Sequence, residues 1–400
     1  MGPIGLLLGS ELAKINEDFD IDIIDKSSKI FITREFHHAG FLHKRSVDLI
    51  KRLTVYKKIS QELTFNFKTR YYMIKNKVFE VDFTGSGCAL FPQHKLMSGL
   101  IEECEMQKNV KLFFGTEFIN LTIKRKEKGE KVKKTVFVKI RTENDTSSER
   151  VEEYDYVFGA DSSSSTVRRN VGIDFKKENF VVDLLPNISD DKTWMVNDFN
   201  INDTNLGELQ NLDWFINESR PFMYTSFEKR HFRLEFMCKD KDERLSLKEV
   251  VSLARQFVPK AVLNQLTEIN LKRSSVYTTR NLVADSFQMG NEVFLVGDAC
   301  HTVVPFLGMG VTCGFDDVKY ICDAFKKKKK LTNYTKDRRS KIIESQFKAK
   351  VLELVIHVLV LIDRLPIPSV INSFIKYVIT FIVSCLPKFF LNALQNYLLH

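Results

Sequence analysis

Apolar strands alternate with helical runs at both ends of the chain, around an aromatic-rich middle with an alternating pattern; together these predict an α/β fold. A doubly wound domain of the nucleotide-binding type is interleaved with a mostly antiparallel sheet, and an apolar helical tail follows. Residues 6–15 read as a helix, 20–25 as a short strand ending in Asp25, 42–53 and 96–107 as helices, and 110–114 as the next strand. Residues 118–123 and 135–140 pair across a lysine-rich connection, and 154–160 form a buried strand stopped at Asp161. From about 181 to 276 the alternation gives strands at 194–200, 221–227 and 232–237, the mark of an antiparallel sheet. Residues 292–296 return to an apolar strand running into Gly297 and Asp298, and the rest is helical. The predicted domains are thus 1–180 with 277–345, then 181–276, then the tail 346–400.

A chain that is 44% hydrophobic and 28% charged can bury a core and is not of the disordered class. Its net charge of +9 comes from scattered lysines and two runs, 124–134 and 326–330, that read as solvated surface. Nucleic acid is therefore not an expected partner. The seven cysteines are odd in number and form no CxxC pair, which points to reduced thiols in an intracellular, cytoplasmic setting. The eight histidines make no ligand cluster, so no metal is expected. No secretory signal is expected at the start of the sequence.

Gly2-Pro3-Ile4-Gly5 opens a helix, and Asp25 ends a strand about twenty residues later. Glycines before a helix let the backbone approach a pyrophosphate at the helix N-terminus, and the carboxylate reaches ribose hydroxyls. The strand and glycine that should precede Gly2 are missing, so the chain is expected to start late in that fingerprint. The strongest block runs from Val293 to Asp317. A buried strand delivers Asp298, and a loop with Pro305, Gly308, Gly310 and Gly314 opens a helix near Thr312. That order leaves amides exposed for a flat ring or an anion.

This block resembles the Gly-Asp motif of class A flavoprotein monooxygenases, the para-hydroxybenzoate hydroxylase fold, in the style of phenol and phenylpropionate hydroxylases. The resemblance covers residues 2–345 and implies a Rossmann-like FAD-binding domain with a substrate-binding sheet. It implies that Gly297 and Asp298 meet the ribityl chain. Pro305, Gly308, Met309, Gly310, Val311 and Thr312 would edge the flavin, with Pro305, Gly308 and Gly310 nearest the chemistry. Residues 154–168 are similar to a second family segment, in which Asp161 and Arg168 serve the cofactors; Ser162 replaces its glycine. Gln93 and Arg45 resemble residues beside the FAD diphosphate. Residues 331–339 resemble a helix of structural role. Met309 and Thr312 depart from the usual pattern.

The resemblance further implies that NADPH or NADH reduces FAD. With O2 a C4a-hydroperoxide then hydroxylates an aromatic, phenolic substrate between the flavin and the sheet. Phe222, Tyr224 and Phe306 are the candidate substrate walls, although each also suits an ordinary core. His301 is read as a hydrogen-bonded structural histidine. Two other readings stay open: a degenerate flavoprotein kept as a scaffold, and an FAD oxidoreductase with a lipid-like substrate. The apolar stretch 351–400, with its lysines, is expected to lie in the plane of a membrane surface as a peripheral contact.

Overall fold

Helix Pro3–Ala13 is buried on nearly every side, with Pro in its first turn and Leu6, Leu7, Leu8 and Leu12 in the core. It lies against the strand Ile21–Asp25, which runs parallel to Val110–Phe114. The computed structural model describes residues 1–363 apart from 34–38, 74–75, 129–130, 143–144, 179–190, 203–211, 217–219, 227–229, 241–242 and 306–307.

A second parallel pair, Val157–Gly159 with Val293–Leu295, is extended antiparallel by Gln288–Met289. Among the described residues these two parallel pieces are separate ladders. The Tyr154 hydroxyl, at the end of strand Asp145–Tyr154 just before Val157, donates to Asp22 Oδ2 of the first piece at 2.7 Å. Val293–Leu295 are fully buried, whereas all of Ile21–Asp25, with Val157 and Phe158, are half-buried. Among the described residues, Ile21–Asp25 and Val157–Gly159 are each paired on one side only.

Strands Thr116–Lys128 and Lys131–Thr142, longer than the expected pair 118–123 and 135–140, form a meander with a third strand, Asp145–Tyr154, not expected from the sequence. Phe118 lies opposite Ile140 and Ile123 opposite Val136. The first lysine run therefore occupies a hairpin.

The antiparallel sheet has seven strands, in the order Leu271–Thr279, Lys192–Asn200, His231–Met237, Phe222–Thr225, Leu212–Ile216, Lys68–Met73 and Asn76–Asp82. The last two come from the N-terminal half, so the sheet recruits chain from outside the predicted 181–276. Lys68–Met73 joins parallel to Leu212–Ile216. One face carries Met195, Phe199, Phe222, Tyr224, Phe232, Leu234 and Phe236. It is covered by Val250 and Ala254 of helix Leu247–Ala254, which starts with a Ser246–Glu249 capping box, and by Val258, Val262 and Leu266.

That placement corrects two of the substrate candidates. Phe222 stacks on Phe215 at 4.5 Å and lies 4.6 Å from Phe257, all under the helix. Tyr224 packs beside Phe232 and hydrogen-bonds Asp213. The period of two along a strand sends both side chains into the helix-covered core. Phe306 lies outside the described residues.

Helix Tyr334–Asp363 passes through residue 346 without a break, so the predicted boundary there is not a structural one. Gln346 Nε2 donates to the carbonyls of Leu282 and Thr302, pinning the helix to the doubly wound part. The rest of the predicted tail, 364–400, lies outside the described residues. Among the described residues no helix is long and apolar enough to cross a membrane. The six described cysteines are all buried, and burial pushes the thiols of Cys104, Cys313 and Cys322 up to about 12, which makes them packing groups.

Candidate functional site

The strand Val293–Leu295 ends in the 3-10 turn Gly297–Ala299, which presents Asp298. Gly297 has φ 59°, and a Cβ there would lie 3.1 Å from Ile4 Cγ1. A Cβ on Gly314 would come within 2.5 Å of Ile4 Cδ1. Only glycine permits this approach, and it brings the first turns of helices Pro3–Ala13 and Met309–Lys326 together around Ile4. Both helices start on a glycine, Gly2 and Gly308, with no side-chain cap and no acidic residue in the first turn. Their leading N–H groups are therefore left for a ligand.

The space beyond them is open. A Cβ on Gly2 or Gly310 would meet nothing within 4 Å. Asp298 is exposed to solvent yet surrounded by protein; this desolvation raises its carboxyl pKa, with His301 opposing. Because Gly297 packs against Ile4, Asp298 borders the open space before the two helix starts, which forms the cleft.

Beneath the turn that carries Asp298 sits a knot of buried charge. Asp317, fully buried, accepts from Gly297 N at 3.0 Å, His301 Nε2 at 2.7 Å and Arg338 Nε at 2.7 Å. Arg338 also donates to Cys313 O, and Tyr334 donates to Leu295 O at 2.8 Å. The Asp298 turn is thus held from below, and the expected structural roles of His301 and of the 331–339 segment are observed. Cys300, His301 and Asp317 offer ligand-type atoms within 4.8 Å of one another. The Arg338 guanidinium already neutralises Asp317, and the Cys300 thiol donates to Leu295 O and Gly297 O. The group reads as a hydrogen-bond knot.

The other predicted residues fall into two sets. In the first, whose members lie at or just before helix starts, Gly5 abuts Ala160, Gln93 begins helix Gln93–Glu105, Val311 is half-buried and Pro305 is exposed, its carbonyl accepting from Gly308 N. Asp25 holds the Met1 amino group and the Ser27 amide. The second set is engaged within the protein. Arg45 pairs with Asp316 at 3.2 Å. Met309 is in the core, and Thr312 is fully buried, its hydroxyl accepting from Ser46 at 3.1 Å. Asp161 caps helix Thr166–Asn170 through the amides of Thr166 and Val167. Arg168 stacks on Phe175 at 3.7 Å and donates to Ser163 O and Ala299 O, which ties this loop to the Asp298 turn. Met309 and Thr312, the two departures from the usual pattern, therefore point inward.

Ser162 has φ 72°, the left-handed conformation that a glycine at this point supplies. Ser162→Gly is expected to stabilise the fold by about 0.5–1 kcal/mol, the relief of strain less the entropy that glycine adds to the unfolded chain. A urea unfolding midpoint that falls or stays put would contradict this.

No individual role is legible in the sequence for Asp317 or Phe41, while Arg338 belongs to the segment 331–339 read as structural. Phe41 lies on the strand Ala39–Leu42, paired with Ala89–Pro92. A Cβ on Gly308, whose φ is 60°, would sit 2.7 Å from Phe41 Cβ.

A family model described as FAD binding domain matches residues 1–342, and the chain belongs to that family. It is 26% identical over 224 residues to a kynurenine 3-monooxygenase from Saccharomyces cerevisiae, across 50% of this chain and 46% of that one. It is 24% identical over 239 residues to a kynurenine 3-monooxygenase from Yarrowia lipolytica, across 58% of this chain and 49% of that one. The chain thus spans about half the length of these relatives. Its fold is that of p-nitrophenol 4-monooxygenase PnpA from Pseudomonas putida, with a TM-score of 0.73 at 16% identity over 98% of this chain and 95% of that one. Aklavinone-11 hydroxylase, solved with FAD and aklavinone, gives a TM-score of 0.63 at 16% identity over 81% and 60%. The fold and FAD family expected from the Gly-Asp block are met. The cleft also fits FAD: it offers two uncapped helix N-termini, a carboxylate between them, and glycines with open space beyond.

Proposed function

We propose that the chain is an FAD-dependent monooxygenase that hydroxylates an aromatic ring, with NADPH or NADH as reductant and O2 as co-substrate. The observation that carries this reading is the convergence of two uncapped helix N-termini and Asp298 on one cleft. Bound there, FAD would supply the redox chemistry and the activation of O2.

The chain's own groups do the rest. The first-turn amides after Gly2 suit the pyrophosphate, and Asp298 suits the ribityl hydroxyls. The amides from Gly308 to Val311 place the positive end of a helix dipole where negative charge collects on the ring. Because Met309 and Thr312 turn their side chains inward, this donor surface is made of backbone and survives their departure from the family pattern. That favours an active flavoprotein over a scaffold.

Kynurenine, named in the sequence relatives, and p-nitrophenol, named in a structural neighbour, are the substrates to test first. Purified protein should bind FAD with a change in flavin fluorescence. Either aromatic should then accelerate NADPH or NADH consumption; kynurenine should gain one oxygen by mass, and p-nitrophenol should either gain one oxygen or, if attacked at the carbon that bears the nitro group, release nitrite. Folded protein that ignores FAD would overturn the cofactor assignment, and substrate-independent consumption giving only peroxide would overturn hydroxylation.

A further inference from the structure

Phe41, Phe67 and Phe83 form an aromatic cluster at the edge of the cleft. Phe67 and Phe83 stack with centroids 5.0 Å apart, and Phe41 meets them edge-on at 5.6 and 5.2 Å. Phe67 is buried, but Phe41 and Phe83 are each only half-buried. The cluster is continuous with the flavin loop, because Phe41 lies directly against the Gly308 backbone. The two half-exposed rings are anchored from different parts of the chain. Phe41 sits on the Ala39–Leu42 strand, while the Phe83 amide donates to Phe67 O at 3.0 Å. Half-exposed rings on a rigid support, beside a cofactor loop, are what an aromatic-binding wall requires. The helix-covered Phe222 and Tyr224 cannot serve that purpose.

We propose that Phe41 and Phe83 form the wall on which the substrate ring packs beside the flavin, selecting the flat apolar face of the substrate. This rests on the FAD monooxygenase reading. The wall offers no hydrogen-bond donor, so polar substituents of the substrate must point away from it.

The test uses the full chain loaded with FAD. Kynurenine and p-nitrophenol serve as probes, and their affinity is read from perturbation of the flavin absorbance spectrum. Phe83→Leu should retain FAD while the dissociation constants of the probes rise about tenfold, the scale of an aromatic contact. FAD and probe affinities both equal to wild type would overturn the wall alone. Wild-type protein that takes up FAD yet binds neither probe would overturn the substrate reading and the wall with it. Should Phe83→Leu not fold, Phe83→Trp carries the test. The larger ring must change the ratio of the two dissociation constants, and an unchanged ratio overturns the proposal.

Discussion

Replacing Asp317 by Ala is expected to remove about 3–5 kcal/mol of folding stability, because it leaves a buried guanidinium without its partner. Arg338, His301 and the Gly297 amide all converge on this carboxylate. Thermal or urea unfolding of the FAD-free protein measures the loss directly. Arg338→Met in the same chain should recover part of it, since removing both charges costs less than orphaning one. A single variant as stable as wild type would mean that the knot is not coupled to folding.

The same group gives a pH dependence of definite sign. Burial by itself would raise the Asp317 pKa, but His301 and Arg338 outweigh it and hold the carboxyl below its usual range. A depressed native pKa contributes stability that is fully present above the unfolded value, about 3.9 for Asp. It is lost as the pH falls through the folded value. Wild-type stability should therefore drop in acid below about pH 4 more steeply than that of the Asp317→Ala/Arg338→Met chain.

Asp298→Ala should behave in the opposite way. Its folded pKa is raised by desolvation, so folding disfavours the ionised form of this carboxyl. Removing it should leave the FAD-free protein as stable as wild type or more so. FAD affinity should fall roughly hundredfold or more, the worth of one or two hydrogen bonds to a charged group. A flavin fluorescence titration beside a melting curve separates the two effects. Unchanged FAD affinity would show that Asp298 is not a ribityl ligand.

The two variants mark what was legible in the sequence. Asp298 could be read because strand, carboxylate, proline and glycines follow one another within one segment, and that order has few structural meanings. Arg338 sits 21 residues from its partner Asp317, in a segment whose helical pattern carries no sign of what it touches. The side chains of Arg45 and Thr312, expected beside the cofactor, are committed to Asp316 and Ser46, pairings 271 and 266 residues apart in sequence. Phe222 and Tyr224 had the right composition for a substrate wall, and only strand register decides which face they take. The strands Lys68–Met73 and Asn76–Asp82 escaped notice because their hairpin joins the sheet through the non-local pairing of Lys68–Met73 with Leu212–Ile216, which periodicity does not encode.

The chain has only two tryptophans, Trp194 and Trp214, and their rings meet edge-on at 6.0 Å on the face of the antiparallel sheet opposite the helices. Tryptophan fluorescence in this protein is therefore a reporter of the sheet, while flavin bound at the proposed site would report on the doubly wound part. Denaturation followed at both wavelengths would give two independent curves from a single unlabelled sample. Their coincidence or separation would reveal whether the sheet and the doubly wound part melt as one cooperative unit.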